Sequence, residues 1–147
     1  ITATKLYEGL RTSTIDFEEA IRKAEQYSQI DWEEQIRQVY GPVAEDVIVF
    51  EYSANKNRSK DVIERIKLLK QNWEVITSLI DKELPSAEKL VEILKNLEAA
   101  TSPEEVGIDY KMLRDSIRYA KEIRNRYGLL QILYDLNIDP VGIGNFS

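Results

Sequence analysis

The chain has 147 residues and a net charge of −6, from 26 acidic and 20 basic side chains whose signs are interspersed along the sequence. This balance argues against nucleic acid as the main partner, since phosphate binding requires a clustered basic surface. The absence of cysteine and histidine excludes disulfides and thiolate chemistry and removes the commonest general base and metal ligand. No apolar run approaches the ~20 residues that span a bilayer, so we expect no membrane span. The absence of cysteine is compatible with the cytosol, and we expect a cytoplasmic location.

Two capping boxes mark helices in the first third of the chain, each an acidic residue followed three positions later by Glu. Asp16 is the predicted N-cap of a helix over 17–27, and Asp31 is the predicted N-cap of a second helix over 32–40. Gly41 then predicts the end of the second helix.

The Val-rich segment 43–52 is ambiguous, because its β-branched content also suits a strand. Pro42 directly before it is typical of a first helical position, and Glu45 and Asp46 suit the first turn of a helix. We therefore predict a helix here.

The clearest periodic element follows Ser59, a predicted N-cap. Apolar residues then recur at spacings of 4, 3, 4, 3 and 4, at Val62, Ile66, Leu69, Trp73, Ile76 and Ile80. This pattern predicts a helix of about 22 residues with one buried face.

Two shorter helices are predicted next. Ser86 caps the first, and its inward-facing residues are predicted to be Leu90, Ile93, Leu94 and Leu97. Ser102 caps the second, which Gly107 ends.

A long last helix is predicted from Asp109, its N-cap, with a continuous buried stripe. The stripe consists of Leu113, Ile117, Ala120, Ile123, Tyr127 and Leu130. Taken together, the patterns predict an all-α fold, a bundle of about seven helices joined by short connections. We place residues 1–138 in a single helical domain and residues 139–147 in a flexible tail.

Arg124 is the most unusual residue of this last helix. With Ile123 and Tyr127 facing inward, Arg124 falls on the apolar stripe, flanked by Lys121 and Arg126. A cation there is costly unless it is paired or serves a ligand. One interpretation is an anion pocket that binds phosphate or carboxylate, and the other is a structural ion pair with a neighbouring helix. The residues alone favour the ion pair.

Other features point to packing rather than chemistry. Trp73 lies on the clean stripe and is predicted to be in the core, whereas Trp32 is predicted to be half exposed, against the core or another subunit. Gly128 interrupts the predicted last helix and suggests a kink or a close helix contact. The sequence contains no glycine-rich nucleotide loop and no metal-ligand spacing, so no catalytic, cofactor-binding or metal-binding residue is predicted in this chain.

Seven stretches carry a family resemblance through their order and spacing. They are TKLYE at 4–8, WEEQIRQVYGP at 32–42, LPSAE at 84–88, TSPEEVGID at 101–109, LRDSI at 113–117, AKEIRNRY at 120–127 and LLQILYDL at 129–136. Together they resemble the C-terminal helical region of sn-glycerol-1-phosphate dehydrogenases, in the iron-containing alcohol dehydrogenase and dehydroquinate synthase-like superfamily. The chain departs from the family pattern in two places. The family usually has Thr where this chain has Gly128, and Gly-Ala-Pro-Thr where this chain has Glu-Ala-Ala-Thr at 98–101.

The resemblance implies a fragment of a larger two-domain oxidoreductase of phospholipid biosynthesis. In that family an N-terminal domain holds NAD or NADP. A divalent metal bound by an Asp and two His polarises the substrate oxygen during hydride transfer with dihydroxyacetone phosphate. The last metal His lies in an HGxKV-like stretch shortly before the position at which this chain begins, which would account for the missing histidine.

The resemblance also sets the expected partners and site. This chain would form one wall of the active-site cleft beside the missing nucleotide-binding domain, with a possible homodimer contact. It would have no activity by itself, because it lacks the cofactor and the metal. Arg124, with Lys121 and Arg126, would contact the substrate phosphate or fix that wall. The alternative is a standalone helical module for protein–protein interaction, without catalysis.

Overall fold

The computed structural model of the chain describes residues 1–144 and 146, and all regular secondary structure within them is helical, which confirms the predicted all-α fold. The α-helices of this part are α1 Thr2–Thr12, α2 Phe17–Glu25, α3 Gln29–Tyr40, α4 Ala44–Ala54, α5 Ser59–Glu83, α6 Ala87–Asn96, α7 Tyr110–Tyr119, α8 Leu129–Asp135 and α9 Pro140–Ile143. Short 3₁₀ turns occupy Gly41–Val43, Glu104–Val106 and Ala120–Ile123. None of the described helices combines the length and the apolar composition needed to cross a bilayer.

Side-chain caps begin several helices where the sequence predicted them. Asp16 accepts a backbone N–H at 2.9 Å at the start of α2, and Ser86 and Asp109 cap α6 and α7 in the same way. The cap predicted at Asp31 is wrong. Ser28 is itself a strong cap and accepts the N–H of Asp31 at 3.2 Å, so α3 begins three residues earlier than predicted.

The longest helix, α5, carries the predicted apolar stripe. Ser59 is its first residue rather than its cap. Val62 and Ile66 are buried in a cluster shared with α2. Trp73 lies further along the same face, and its ring meets that of Phe17 edge-on at a centroid separation of 5.8 Å. The pairing of α2 with α5 therefore rests on the periodicity visible in the sequence.

Two main apolar clusters form the core. The first joins α1, α5, α7 and α8, and its buried members are Leu6, Leu10, Leu69, Ile117, Leu129, Leu133 and Leu136. The second joins α3 and α4 around Trp32 and Ile36. Trp32, predicted to be half exposed, is buried, because it packs in the cluster of α3 and α4. Tyr119 packs against this second cluster, so the chain that follows α7 lies where the two clusters meet.

Helix α6 is less buried than the sequence predicted. Ile93 and Leu97 were expected to face inward, but both are exposed, whereas Leu90 and Leu94 are partly buried. The helix contacts α1, and Ala87 at its first position is its buried residue. Its apolar stripe is therefore wider than the surface against which it packs.

The long helix predicted from Asp109 is interrupted. Helix α7 ends at Tyr119, a 3₁₀ turn covers 120–123, and residues 124–128 precede α8 in non-helical conformations. Lys121 and Glu122 bury their side chains together, at 5% and 2% exposure.

A short helix lies within the segment predicted as a tail. Residues 140–143 form α9, which packs on α1 and α7, and Val141 is buried. Asp139 caps this short helix and also accepts two hydrogen bonds from Arg118. A Cβ atom at Gly9 of α1 would overlap the carbonyl of Ile143, so Gly9 permits this close approach. Residues 145 and 147 of the predicted tail lie outside the described residues.

Candidate functional site

The most unusual part of the molecule is a group of charged and amide side chains enclosed where the two apolar clusters meet. We call it the polar cluster, and it consists of Glu51, Lys56, Asn57, Arg65, Lys121, Glu122, Gln131 and Asp135. All of them except Arg65 and Lys121 are buried as whole residues, and the side chain of Lys121 is only 5% exposed. Burial of so many polar groups is costly unless each is bonded.

The connection between α4 and α5 brings the first of these residues inside. Asn55 ends α4 in the left-handed conformation, with φ 51° and ψ 29°, which asparagine tolerates better than most residues. The chain then turns so that Lys56 and Asn57 are buried. The backbone N–H of Asn57 donates to Oε1 of Glu51 at 2.7 Å, which fixes this turn against α4.

Glu122 lies at the centre of the cluster. Its carboxylate accepts from the indole N–H of Trp32 at 3.3 Å, from Nδ2 of Asn57 at 3.0 Å and from the ammonium of Lys121. The ammonium of Lys56 lies 3.4 Å from Oε2 and donates to the backbone carbonyl of Glu122 at 3.1 Å. Burial by itself would raise the pKa of Glu122, but Lys121, Lys56 and Asn57 together hold that pKa below its ordinary value. Glu122 is therefore an ionised acceptor.

Lys121 faces the interior and has partners on several sides. Its Nζ donates to Glu122 and to Oδ1 of Asn57, the latter at 3.1 Å, and it lies 3.7 Å from the ring centroid of Tyr134. Burial lowers the pKa of Lys121, and the charge of Glu122 opposes this. The ammonium of Lys121 therefore binds groups within the protein and does not face solvent.

A second carboxylate, Asp135, extends the cluster into α8. It accepts two hydrogen bonds from the guanidinium of Arg65, at 2.6 and 2.9 Å, and one from the hydroxyl of Tyr127 at 3.1 Å. Gln131 donates to Asp135 at 3.0 Å and to Asn57 at 3.5 Å, which links the two halves. Nη2 of Arg65 also donates to the carbonyl of Lys56 at 2.6 Å.

The charges of the polar cluster compensate one another. It contains three cations, Lys56, Arg65 and Lys121, and three anions, Glu51, Glu122 and Asp135. A neutral, extensively bonded network of this kind holds chain segments in one arrangement, and removing one member leaves a buried charge without compensation. Such an arrangement supports positioning rather than proton transfer.

The three predicted site residues are not brought together. Lys121 is enclosed in the polar cluster, whereas Arg124 and Arg126 are exposed on the segment 124–128. Arg124 has an extended backbone, with φ −144° and ψ 139°, so the predicted position on a core-facing helical stripe is wrong. Arg126 lines a cavity of about 250 Å³ together with Arg65 and Gln131.

A larger cavity lies on another side of the polar cluster. Its volume is about 550 Å³, and its lining includes Tyr27, Trp32, Lys121, Glu122 and Tyr134. This is the size range of small-molecule sites. Burial raises the pKa values of Tyr27 and Tyr134, so both phenols stay protonated and can act as hydrogen-bond donors at neutral pH.

Sequence reasoning missed most of the polar cluster. The predicted site residues do not include Glu51, Lys56, Asn57, Arg65, Gln131 or Asp135. In the predicted helix Lys121 and Glu122 fall between the apolar positions Ala120 and Ile123, where charged residues are ordinary, so no local pattern indicates their burial.

The residues present do not fit the metal that the family resemblance implies. That metal is bound by an Asp and two His, and the chain contains no histidine. Within residues 1–144 and 146, no group of three His, Cys, Asp or Glu side chains is placed to hold a metal ion. Its ligands would have to come from another segment.

Comparison with known proteins gave no relative: no protein-family model, no curated protein and no solved structure matches the chain. The assignment of function therefore depends on the residues and on their arrangement.

Proposed function

We propose that the chain is the helical domain of a glycerol-1-phosphate dehydrogenase-like oxidoreductase. In this proposal it forms one wall of the site at which NAD(P)H reduces dihydroxyacetone phosphate. The nicotinamide cofactor and the divalent metal belong to the other domain of that enzyme, so this chain has no turnover by itself.

One observation supports the proposal above the others. Three of the seven stretches that carry the family resemblance contact one another at the polar cluster: Glu122 from 120–127 and Asp135 from 129–136 belong to it, and Trp32 from 32–42 donates to Glu122.

The polar cluster has a definite role in this proposal. It holds the segment 124–128 between the 3₁₀ turn and α8, through Glu122 on one side and Tyr127 on the other. Arg126, which lines the 250 Å³ cavity, is the leading candidate for the substrate phosphate, and Arg124 is the second. Lys121 has a structural role in this proposal, because its ammonium already donates hydrogen bonds to Glu122 and Asn57.

The reading frame that encodes this chain provides a simple test of the proposal. The reading frame that contains this chain is expected to encode, upstream, a glycine-rich nucleotide loop and an HGxKV-like stretch. A frame that lacks both would contradict the proposal.

Ligand binding provides a second test on the chain itself. Dihydroxyacetone phosphate is expected to raise the melting temperature, because a ligand that binds only the native state stabilises it. Arg126→Met should reduce this shift, whereas Arg22→Met on α2 should leave it unchanged, since Arg22 pairs with Glu19 on an exposed helix face. Equal shifts of the melting temperature in both variants would show that Arg126 does not bind dihydroxyacetone phosphate.

A standalone interaction module is the second candidate. The exposure of Ile93 on α6 and of Leu97 directly after it favours this candidate, since neighbouring exposed apolar side chains can form a contact surface. This candidate predicts a reading frame without the two upstream motifs.

A further inference from the structure

The larger cavity, of about 550 Å³, lies between the apolar clusters of the fold. Trp32 lines it from the cluster of α3 and α4, and Ile117 lines it from the cluster of α1, α5, α7 and α8. Ala20 and Val62 line it from the cluster that α5 shares with α2. No described residue lines both this cavity and the 250 Å³ cavity, so the larger cavity is separate from the place proposed for the substrate phosphate.

The charged side chains that line the larger cavity balance one another. Within the described part of the chain they are three cations and three anions, Lys23, Arg118, Lys121, Glu122, Asp135 and Asp139. The two lysine and arginine side chains nearest to carboxylates are paired, Lys121 with Glu122 and Arg118 with Asp139. Asp135 is paired with Arg65 of the polar cluster, and Lys23 is exposed. Burying a further charge against this balanced lining is costly, so the cavity favours an uncharged ligand.

Tyr134 provides the cavity with a hydrogen-bond donor. Other donors that line the cavity already have partners. The indole N–H of Trp32 and the ammonium of Lys121 donate within the polar cluster, and the hydroxyl of Tyr27 donates to Oε1 of Gln29 at 2.8 Å. No described residue accepts a hydrogen bond from the hydroxyl of Tyr134. This phenol is protonated at neutral pH, because burial raises its pKa, and it can therefore donate to a ligand.

We infer that the larger cavity binds an uncharged aromatic molecule that carries a carbonyl oxygen, and that the hydroxyl of Tyr134 donates to this oxygen. The side chains of Tyr27, Trp32 and Tyr134 provide aromatic contact area for the rings of the ligand. The volume is that of small-molecule sites. A carbonyl oxygen accepts a hydrogen bond and has no proton of its own, so it brings no unpaired donor into the cavity.

The fluorescent probe prodan, an uncharged naphthyl ketone, tests the inference on the full chain. Its emission moves to shorter wavelength when the probe leaves water for an apolar site. Titration of prodan with the chain is expected to give a saturable shift of the emission. An emission that does not change, or that changes without saturating, at chain concentrations up to about 1 mM would overturn the inference.

Matched variants test the role of the phenol. Tyr134→Phe removes the donor and keeps the ring, so it should raise the dissociation constant of prodan by roughly fivefold. Tyr110→Phe is the control, because Tyr110 is 49% exposed and lies outside the lining of this cavity. Thermal melts establish that both variants are folded. Equal dissociation constants in the two variants would contradict the donation by Tyr134.

A pair of ligands tests the same hydrogen bond without relying on one variant. Methyl naphthyl ketone and isopropenylnaphthalene have nearly the same shape, but the second has a CH₂ group in place of the carbonyl oxygen. The ketone should displace prodan from the original chain at the lower concentration. The ratio of the two competition constants should then fall by roughly fivefold in Tyr134→Phe, since the variant has no donor for the oxygen. An unchanged ratio would contradict the assigned donor.

Filling the cavity tests where the probe binds. Ala24 lines the cavity from α2, so Ala24→Trp should abolish the shift of the prodan emission, whereas Ala3→Trp, at an exposed position of α1, should leave it intact. Dihydroxyacetone phosphate should not displace prodan, because its proposed site is the 250 Å³ cavity. Equal binding of prodan by the two variants, or its displacement by dihydroxyacetone phosphate, would contradict the assignment to the larger cavity.

Discussion

The indole N–H of Trp32 donates to the carboxylate of Glu122 across 3.3 Å, although the two residues are 90 positions apart in the chain. Trp32 belongs to the buried cluster of α3 and α4, and Glu122 belongs to the turn that interrupts the region after α7. The same carboxylate also binds Asn57 and two lysines. Glu122 thus joins three separate parts of the fold.

Replacing Glu122 by Gln should therefore be strongly destabilising. The substitution keeps the size of the side chain but leaves Lys56 and Lys121 with less compensation in a buried site. Breaking a buried ion pair from one side costs roughly 3–5 kcal/mol of unfolding free energy. Urea unfolding measures the change, and Glu104→Gln, at an exposed position, is the control. A loss below about 1 kcal/mol would show that the cluster does not hold the fold together.

The stability should also depend on pH through Glu122. Its pKa in the folded protein lies below the ordinary value of 4.5, so the folded state binds fewer protons than the unfolded state as the pH falls. The stabilisation is present above pH 4.5 and is lost as the pH falls through the pKa of the folded state. Unfolding free energies of the original chain and of Glu122→Gln should therefore converge in acid. Parallel pH profiles would show that folding does not shift the pKa of Glu122.

The close contact of α1 with α9 gives an independent prediction. Gly9→Ala should destabilise the protein by about 1–3 kcal/mol, because the new methyl group overlaps the carbonyl of Ile143. Gly128→Ala is the matched control, since a Cβ there meets nothing within 4 Å and φ is −133°. Thermal unfolding of both variants measures the difference in their melting temperatures. Equal melting temperatures would mean that α9 is not docked on α1.

Local sequence patterns predicted much of the fold. The stripe of Val62, Ile66 and Leu69 identified α5 and its buried side, since helical periodicity depends only on residues close in sequence. Side-chain caps at Asp16 and Asp109 marked the starts of α2 and α7. These features depend on interactions between residues three or four positions apart, so they can be recognised in a single sequence.

The candidate site was not predictable in the same way. Periodicity predicts a last helix that continues through Arg124 and Tyr127, but α7 ends at Tyr119, and Lys121 and Glu122 are buried in the turn that follows. That burial depends on Trp32 and Asn57, which lie at least 64 positions away. Long-range polar contacts of this kind leave little trace in a single sequence, so the break was missed.

Turnover by the protein that carries this chain together with a nucleotide-binding domain tests the central claim most directly. Such a protein is expected to oxidise NADH or NADPH when dihydroxyacetone phosphate is added, and the isolated chain is expected not to. Arg126→Met should raise the KM for dihydroxyacetone phosphate by roughly tenfold or more, since a charge-assisted hydrogen bond to phosphate is lost, and Arg22→Met should not change it. Failure of the joined protein to use dihydroxyacetone phosphate, or turnover by the isolated chain, would contradict the account.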